Sequence, residues 1–226
     1  MRQLWKFDSW LPDEIGLDLL SEHCDFANGD EMFSAPRSIG KFATADFPVA
    51  QLQLTLEDFS LDCFSWQSYK LVSQKLRDAM ALGSQSVQYL PVDASLSAPL
   101  PKSKNYMIIH VPIIEDVSDV DQSDYMGRNT PGDPNKWISA REIAIRQDAD
   151  PKHELFHDSF FYGHTLCTEA LAVRVLRSGC TGVRFLDLKH FSVPEPIWLR
   201  TVRGIEEERW DHEQEKNLTK LIRTIP

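Results

Sequence analysis

Two stretches of this chain carry the same succession, a short amphipathic helix, a glycine and an apolar strand, and that alternation limits the fold more than any other feature. In the first, Val72, Leu76, Ala79 and Met80 fall on one stripe of a helix that starts at Ser68 or Ser73 and runs to Leu82. Gly83 is placed as its C-terminal cap, and Val87, Tyr89 and Leu90 form the strand that follows. In the second, Leu171, Val175 and Leu176 mark a helix over 168–178, Gly179 ends it, and Val183, Phe185 and Leu186 are the strand. With Gly83 set against Gly179, Val87 aligns with Val183 and Tyr89 with Phe185, while Ser73 and Thr168 start their helices one residue out of step. Two copies are too few for a solenoid, which needs at least three stacked units. They suggest two related halves.

The rest of the pattern is compatible with sheets around those helices. Leu52, Leu54 and Leu56 alternate with Gln53 and Thr55, the period of a half-buried strand. Residues 106–114 read as a buried strand, and 91–105, with Pro91, Pro99 and Pro101, as a connector that cannot propagate a helix. A second loop is expected over 127–136, around Pro131, Gly132 and Pro134. Leu218, Leu221, Ile222 and Ile225 recur at helical spacing and predict a C-terminal amphipathic helix within 204–226. The expected fold is α+β, with mixed or antiparallel sheets and two main core helices. A chain of 226 residues hides roughly 72% of its unfolded surface on folding, so it needs no disulfide or metal to hold a core. It is expected to form a single domain over 1–226, divisible at the Pro-rich connector into subdomains 1–95 and 105–226.

Charge bears on partners. Lys and Arg number 24 against 34 Asp and Glu, a net charge of −10, and the sequence pI is about 5.1. No basic stripe is present, so nucleic acid and anionic membrane are excluded as expected partners, because binders of such polyanions must neutralise dense rows of phosphate. An acidic surface is steered toward basic proteins. The first eight residues meet charge without an apolar leader, and the longest apolar stretch, 107–114, is too short to span a bilayer. The expectation is a cytoplasmic protein. Its cysteines, Cys24, Cys63, Cys167 and Cys180, form no C-x-x-C pair and read as reduced, buried small hydrophobes.

Two features could carry chemistry. His153-Glu154-Leu155-Phe156-His157 matches H-E-x-x-H, which on a helix would set two imidazoles on a zinc ion and let the glutamate polarise a bound water. A zinc hydrolase would also need a third ligand, for which Glu169, His164 and His190 are available, although none lies in a zincin extension. The chain has no Gly-rich phosphate loop, no G-x-S-x-G elbow and no kinase motifs. The second feature is acidic clustering. Glu115, Asp116, Asp119, Asp121 and Asp124 occur without one Lys or Arg among them, in an order that does not fit a calcium loop. Glu206, Glu207, Glu208, Asp211, Glu213 and Glu215 form another group. Runs of charge ordinarily serve as solvated faces; the sharper reading is a contact surface for a basic partner.

The order Tyr106-Met107-Ile108-Ile109-His110-Val111, then Asp116-Val117-Ser118-Asp119 and Ser123-Asp124-Tyr125, resembles the strand, D-x-x-D and S-x-Y block of the immunity protein eleven family of bacterial polymorphic toxin systems. Leu155-Phe156, the helix start at Thr168-Glu169, and Gly179-x-x-Gly182-Val183-x-Phe185 resemble that family's later motifs, and Ser73-x-x-Leu76 with Gly83 its first half. Asp187 stands where the family commonly has proline, and the first fifty residues and the C-terminal segment match none of its pattern. The resemblance implies a non-catalytic bacterial protein, without cofactor, that neutralises a cognate toxin by stoichiometric occlusion. It also makes Leu155-Phe156 a core element flanked by His153 and His157, without a metal pattern. The toxin is expected to present a basic surface, with Glu115, Asp116, Asp119, Asp121, Asp124 and Tyr125 as candidate contacts. Two other readings are a zinc hydrolase on His153, Glu154 and His157, and a regulatory or scaffold module of the same fold.

Overall fold

Among the described residues, alternating apolar side chains and hydroxyl caps at two helix starts go with short strands and four short α-helices. The computed structural model describes residues 3–11, 15–34, 43–56, 59–97, 104–126, 139–161, 163–189, 199–201 and 223–225. In chain order they form β1 (Leu4–Ser9), α1 (Leu17–His23), β2 (Cys24–Phe26), α2 (Gly29–Ser34), β3 (Ala50–Leu54), β4 (Cys63–Trp66), β5 (Tyr69–Ser73), α3 (Gln74–Met80) and β6 (Gln88–Asp93). There follow β7 (Tyr106–His110), β8 (Ile114–Glu115), β9 (Ser118–Met126), β10 (Ser139–Ile145), β11 (Leu155–Asp158), β12 (Thr165–Thr168), α4 (Glu169–Arg177), β13 (Val183–Asp187), β14 (Leu199–Thr201) and β15 (Arg223–Ile225). The class is α+β with mixed sheets, as expected.

The chain divides into two compact units. One comprises Ser9–Pro112 and Cys180–Val183, the other Met1–Asp8, Ile113–Gly179 and Arg184–Pro226. In the first, a six-stranded sheet runs β2-β3-β6-β7-β5-β4, antiparallel throughout except for the parallel pair β3 and β6. The alternation read at 52–56 is real: Ala50, Leu52 and Leu54 are fully buried while Gln51 and Gln53 face out. They join Leu20, Phe26, Met32, Phe64, Leu71 and Ile108 in one core. In the second unit a five-stranded sheet runs β13-β1-β12-β11-β8. Leu171, Ala172, Val175 and Leu176 of α4 are buried, as are Trp5, Phe7, Phe156, Leu166 and Phe185 of the strands. A two-stranded ribbon, β9 with β10, and the short parallel pair β14 with β15 complete its described structure.

The two units share a plan deeper than helix, glycine and strand. In each, an antiparallel hairpin (β4–β5 or β11–β12) leads straight into a helix and then a strand, and a further strand lies between the third strand and the hairpin. That inner strand is β7 in one unit and the N-terminal β1 in the other. The helix starts match bond for bond. Ser73 donates its N–H to Asp62 O at 2.8 Å and Thr168 to Glu154 O at 3.0 Å; Gln74 N bonds Asn105 O at 2.9 Å and Glu169 N bonds Gln3 O at 3.2 Å. Each cap hydroxyl accepts from the backbone three residues on, Ser73 Oγ from Leu76 N and Thr168 Oγ1 from Leu171 N.

Several expected boundaries move. Val72 belongs to β5 rather than to the helix stripe, because strand pairing with Cys63 and Met107 claims it. Ala81, at φ 49°, and not Gly83, is the left-handed cap of α3. Gly83 instead opens a turn whose carbonyl accepts from Ser86 and Val87. The connector expected from Pro91 begins later, since β6 continues through Pro91 to Asp93. Pro91 falls where the pairing of β6 passes from β7 to β3, so its missing N–H is tolerated. The strand expected over 106–114 stops at His110, before Pro112, and Ile114 starts β8. The loop expected over 127–136 lies outside the described residues. So does most of the expected C-terminal helix; its last residues are not helical, for Arg223–Ile225 pair with Leu199–Thr201 as a strand.

Candidate functional site

The acidic segment lies on β8, β9 and the turn between them, and its carboxylates have different employments. Glu115 accepts from the backbone of Lys152 at 3.0 Å and of His153 at 3.1 Å, and meets His153 Nδ1 at 2.6 Å. It therefore ties the approach to β11 into the sheet. Asp116 accepts from Arg146 Nη1 at 2.6 Å and Ser159 Oγ at 3.1 Å, and the Arg146 bond holds its carboxyl below the ordinary range. Asp119 closes a local turn through Gln122 N and Nε2. Asp121 and Asp124 are exposed on β9, and Tyr125 is partly buried.

The rest of that block builds the ribbon. Ser123 Oγ donates to Asp119 O at 2.6 Å and accepts from Ala144 N at 2.9 Å, filling the irregularity where the β9–β10 register shifts. The Tyr125 ring packs edge-on against Phe160 and Phe161, with centroids at 5.3 and 5.7 Å. Asp116, Asp119, Ser123 and Tyr125 thus all serve the fold of this region. Of the six predicted contacts, Asp121 and Asp124 are the carboxylates that are exposed and make no hydrogen bond of this kind among the described residues.

The H-E-x-x-H segment is not helical. His153 and Glu154 lie in a bend and Leu155–Asp158 is strand β11. Extended backbone advances about 3.3 Å per residue, whereas the zinc motif relies on one helical turn to bring both imidazoles together. The polar groups also have other work: His153 meets Glu115, and Glu154 takes Arg174 Nη1 at 3.1 Å and Nη2 at 2.8 Å. Leu155 and Phe156 are fully buried. By topology this segment is the counterpart of Leu61-Asp62-Cys63-Phe64-Ser65 in the other unit. Among the described residues no group of three His, Cys, Asp or Glu could hold a metal ion. All four cysteines are buried and none is in a disulfide.

Two buried carboxylates, unremarked in the sequence, organise the units, one in each. Asp158, fully buried, accepts from Val117 N, Ser118 N and Oγ, Phe160 N and Phe161 N. It links the start of β9 to the end of β11. The Asp-Ser-Phe order of an Asx turn was its available signal. Asp62, 1% exposed, accepts from Lys104 Nζ at 2.6 Å, Ser73 Oγ at 2.7 Å and Thr181 N at 2.9 Å, with Lys75 at 3.6 Å. Burial alone would raise its pKa, but the bonds from Lys104, Thr181 and Ser73 and the charge of Lys104 outweigh it and hold the carboxyl below the usual range. Nothing in spacing foretold that cluster, since Thr181 is remote in sequence.

Among the described residues no helix is long and apolar enough to cross a membrane. Comparison with curated proteins finds no match. A family model does match, over residues 31–190 and therefore well over half of the chain, and it spans the β9 block, the β11 core element and the Thr181-Gly182 loop described above. This chain accordingly belongs to the immunity protein family (Imm11).

Proposed function

We propose that this protein neutralises a cognate bacterial toxin by binding it stoichiometrically in the cytoplasm and covering the surface the toxin needs, with no reaction of its own. The family match over residues 31–190 is the observation that carries the reading. The net charge of −10 supports a toxin with a basic face. Within the predicted contact set, Asp121 and Asp124 on β9 are the residues free to meet such a face, with Tyr125 beside them. Asp116 and Asp119 support them through bonds within and beside the ribbon, while Glu115 ties the approach to β11 into its sheet. An inhibitor of this type covers about 800 Å² on its own side, so β9 supplies only part of the contact.

The test is to read the gene immediately upstream, where a large open reading frame ending in a toxin domain is expected, and to co-express that domain with this protein. Restored growth and a stable complex of the two purified proteins are expected. A toxin that remains lethal and elutes separately would overturn the proposal.

A further inference from the structure

The β9–β10 ribbon and the turn after β11 are both additions to the plan that the two units share. Among the described residues the unit with the six-stranded sheet has no separate ribbon, and its matching hairpin turns at once, Trp66 of β4 pairing with Tyr69 of β5. In the unit with the five-stranded sheet, residues 159–164 stand between β11 and β12. One side chain joins these two additions. Asp158 ends β11 with no exposed surface, and its two oxygens divide the work. Oδ2 accepts from Val117 N at 3.3 Å and Ser118 N at 3.1 Å, where β9 begins. Oδ1 accepts from Phe160 N at 2.9 Å, Phe161 N at 2.8 Å and Ser118 Oγ at 2.9 Å.

The reach of Asp158 extends along the ribbon. Val117 O accepts from Arg146 N at 3.0 Å, just past the end of β10, so both strands are tied at this base. Towards the other end, Tyr125 of β9 packs on the Phe160 and Phe161 rings, which stand edge to face with centroids 4.8 Å apart. These are the residues whose N–H groups Asp158 holds. Asp121 and Asp124, both exposed, lie between the two fixed points. A buried carboxylate is costly unless its oxygens are filled, and here every donor comes from the start of β9 or the turn after β11.

We infer that Asp158 is a positioning residue for toxin binding, which sets Asp121, Asp124 and Tyr125 in one arrangement before the partner arrives. This rests on the toxin-neutralising function and the β9 contact proposed above. A contact surface already held in its bound form escapes the ordering cost that association otherwise carries, and so binds more tightly without any new contact.

The experiment measures binding of the full-length chain to the purified toxin domain of the gene immediately upstream. Asp158→Asn keeps the size of the side chain but leaves one acceptor oxygen, and turns an amide N–H2 toward donors on the other side. It is expected to weaken binding about tenfold. Damage to the fold alone would also weaken binding, so the substitution is repeated in a chain carrying Asp121→Ala and Asp124→Ala. There its cost should shrink to about threefold or less, because fewer contacts remain to be positioned. Ser118→Ala removes one of the five bonds and runs through the same cycle, which keeps the test open where Asp158→Asn does not fold. Its loss, about threefold, should disappear in the chain without the two aspartates. Equal losses in both chains would overturn the inference, as would folded variants that bind like the wild type. If Asp121→Ala with Asp124→Ala leaves binding unchanged, β9 is not the contact and the inference falls while the function stands. Wild-type protein that binds no toxin would overturn the function and the inference with it.

Discussion

Gly182 stands at φ +73°, and a Cβ built there would lie 2.1 Å from the carbonyl oxygen of Cys63 and 3.0 Å from Leu61 Cβ. Its neighbour Thr181 is held by the backbone of Asp62 and Cys63, while Gly182 O accepts from Trp10 N. The loop therefore cannot retreat from an added methyl without breaking bonds on both sides. Left-handed backbone costs an L-residue about 1–2 kcal/mol, and forced overpacking about 1–3 kcal/mol more. Gly182→Ala is expected to lose about 3 kcal/mol of stability in urea unfolding. Gly179 shares the positive φ, at +65°, but has nothing within 4 Å of an added Cβ. Gly179→Ala should lose about 1 kcal/mol, from the backbone alone. Equal losses for the two variants would show that the Cys63 carbonyl moves aside at no cost. In the sequence both residues belonged to one glycine-rich pattern; only the approach of a backbone more than a hundred positions away separates their roles.

At the scale of elements, what is local was readable and what is paired was not. Ser73 and Thr168 were identifiable as helix starts because a hydroxyl ahead of an apolar stripe satisfies backbone N–H groups that the helix cannot. Val72 was not separable from the helix, since it sits four residues before Leu76 and fits the same stripe; strand partners on both sides decide the matter. Strand β1 was missed altogether. Its place between β12 and β13 depends on residues some 160 positions away, and Trp5 and Phe7 disclose nothing of that pairing. Likewise the acidic run could be seen, but not that Glu115 and Asp116 are bound to His153 and Arg146. The matched helix starts give a prediction at this scale. Thr168→Ala removes a cap worth about 1 kcal/mol. Ser73→Ala removes a cap and also the donor to buried Asp62, so its loss should be larger, about 2 kcal/mol. Losses in the reverse order, measured by urea midpoint, would place the support of Asp62 elsewhere.

For the molecule as a whole, acid should act in two windows, each belonging to one unit. His164, in the unit that contains β1, is pushed down to about 4 by burial, with Lys6 and His157 adding to the effect and Asp8 opposing it. Above the ordinary histidine value of 6.5 neither the folded nor the unfolded chain protonates it, and no pH dependence arises. Between 6.5 and about 4 the unfolded chain takes up a proton that the folded chain refuses, so stability falls as pH falls. Below about 4 both states are protonated and that loss is complete. Asp62, in the other unit, behaves as a depressed carboxylate: its contribution is whole above the ordinary value of 3.8 and disappears as pH drops through its lower folded value. The windows barely overlap, so one substitution isolates the first. His164→Gln cannot gain charge, and its urea midpoint should fall less than that of the wild type between 6.5 and about 4. The Asp62 loss should remain in the variant at lower pH, because the Lys104, Ser73 and Thr181 bonds are untouched. Parallel midpoint profiles for the two proteins across the upper window would mean that His164 does not govern the acid sensitivity of its unit.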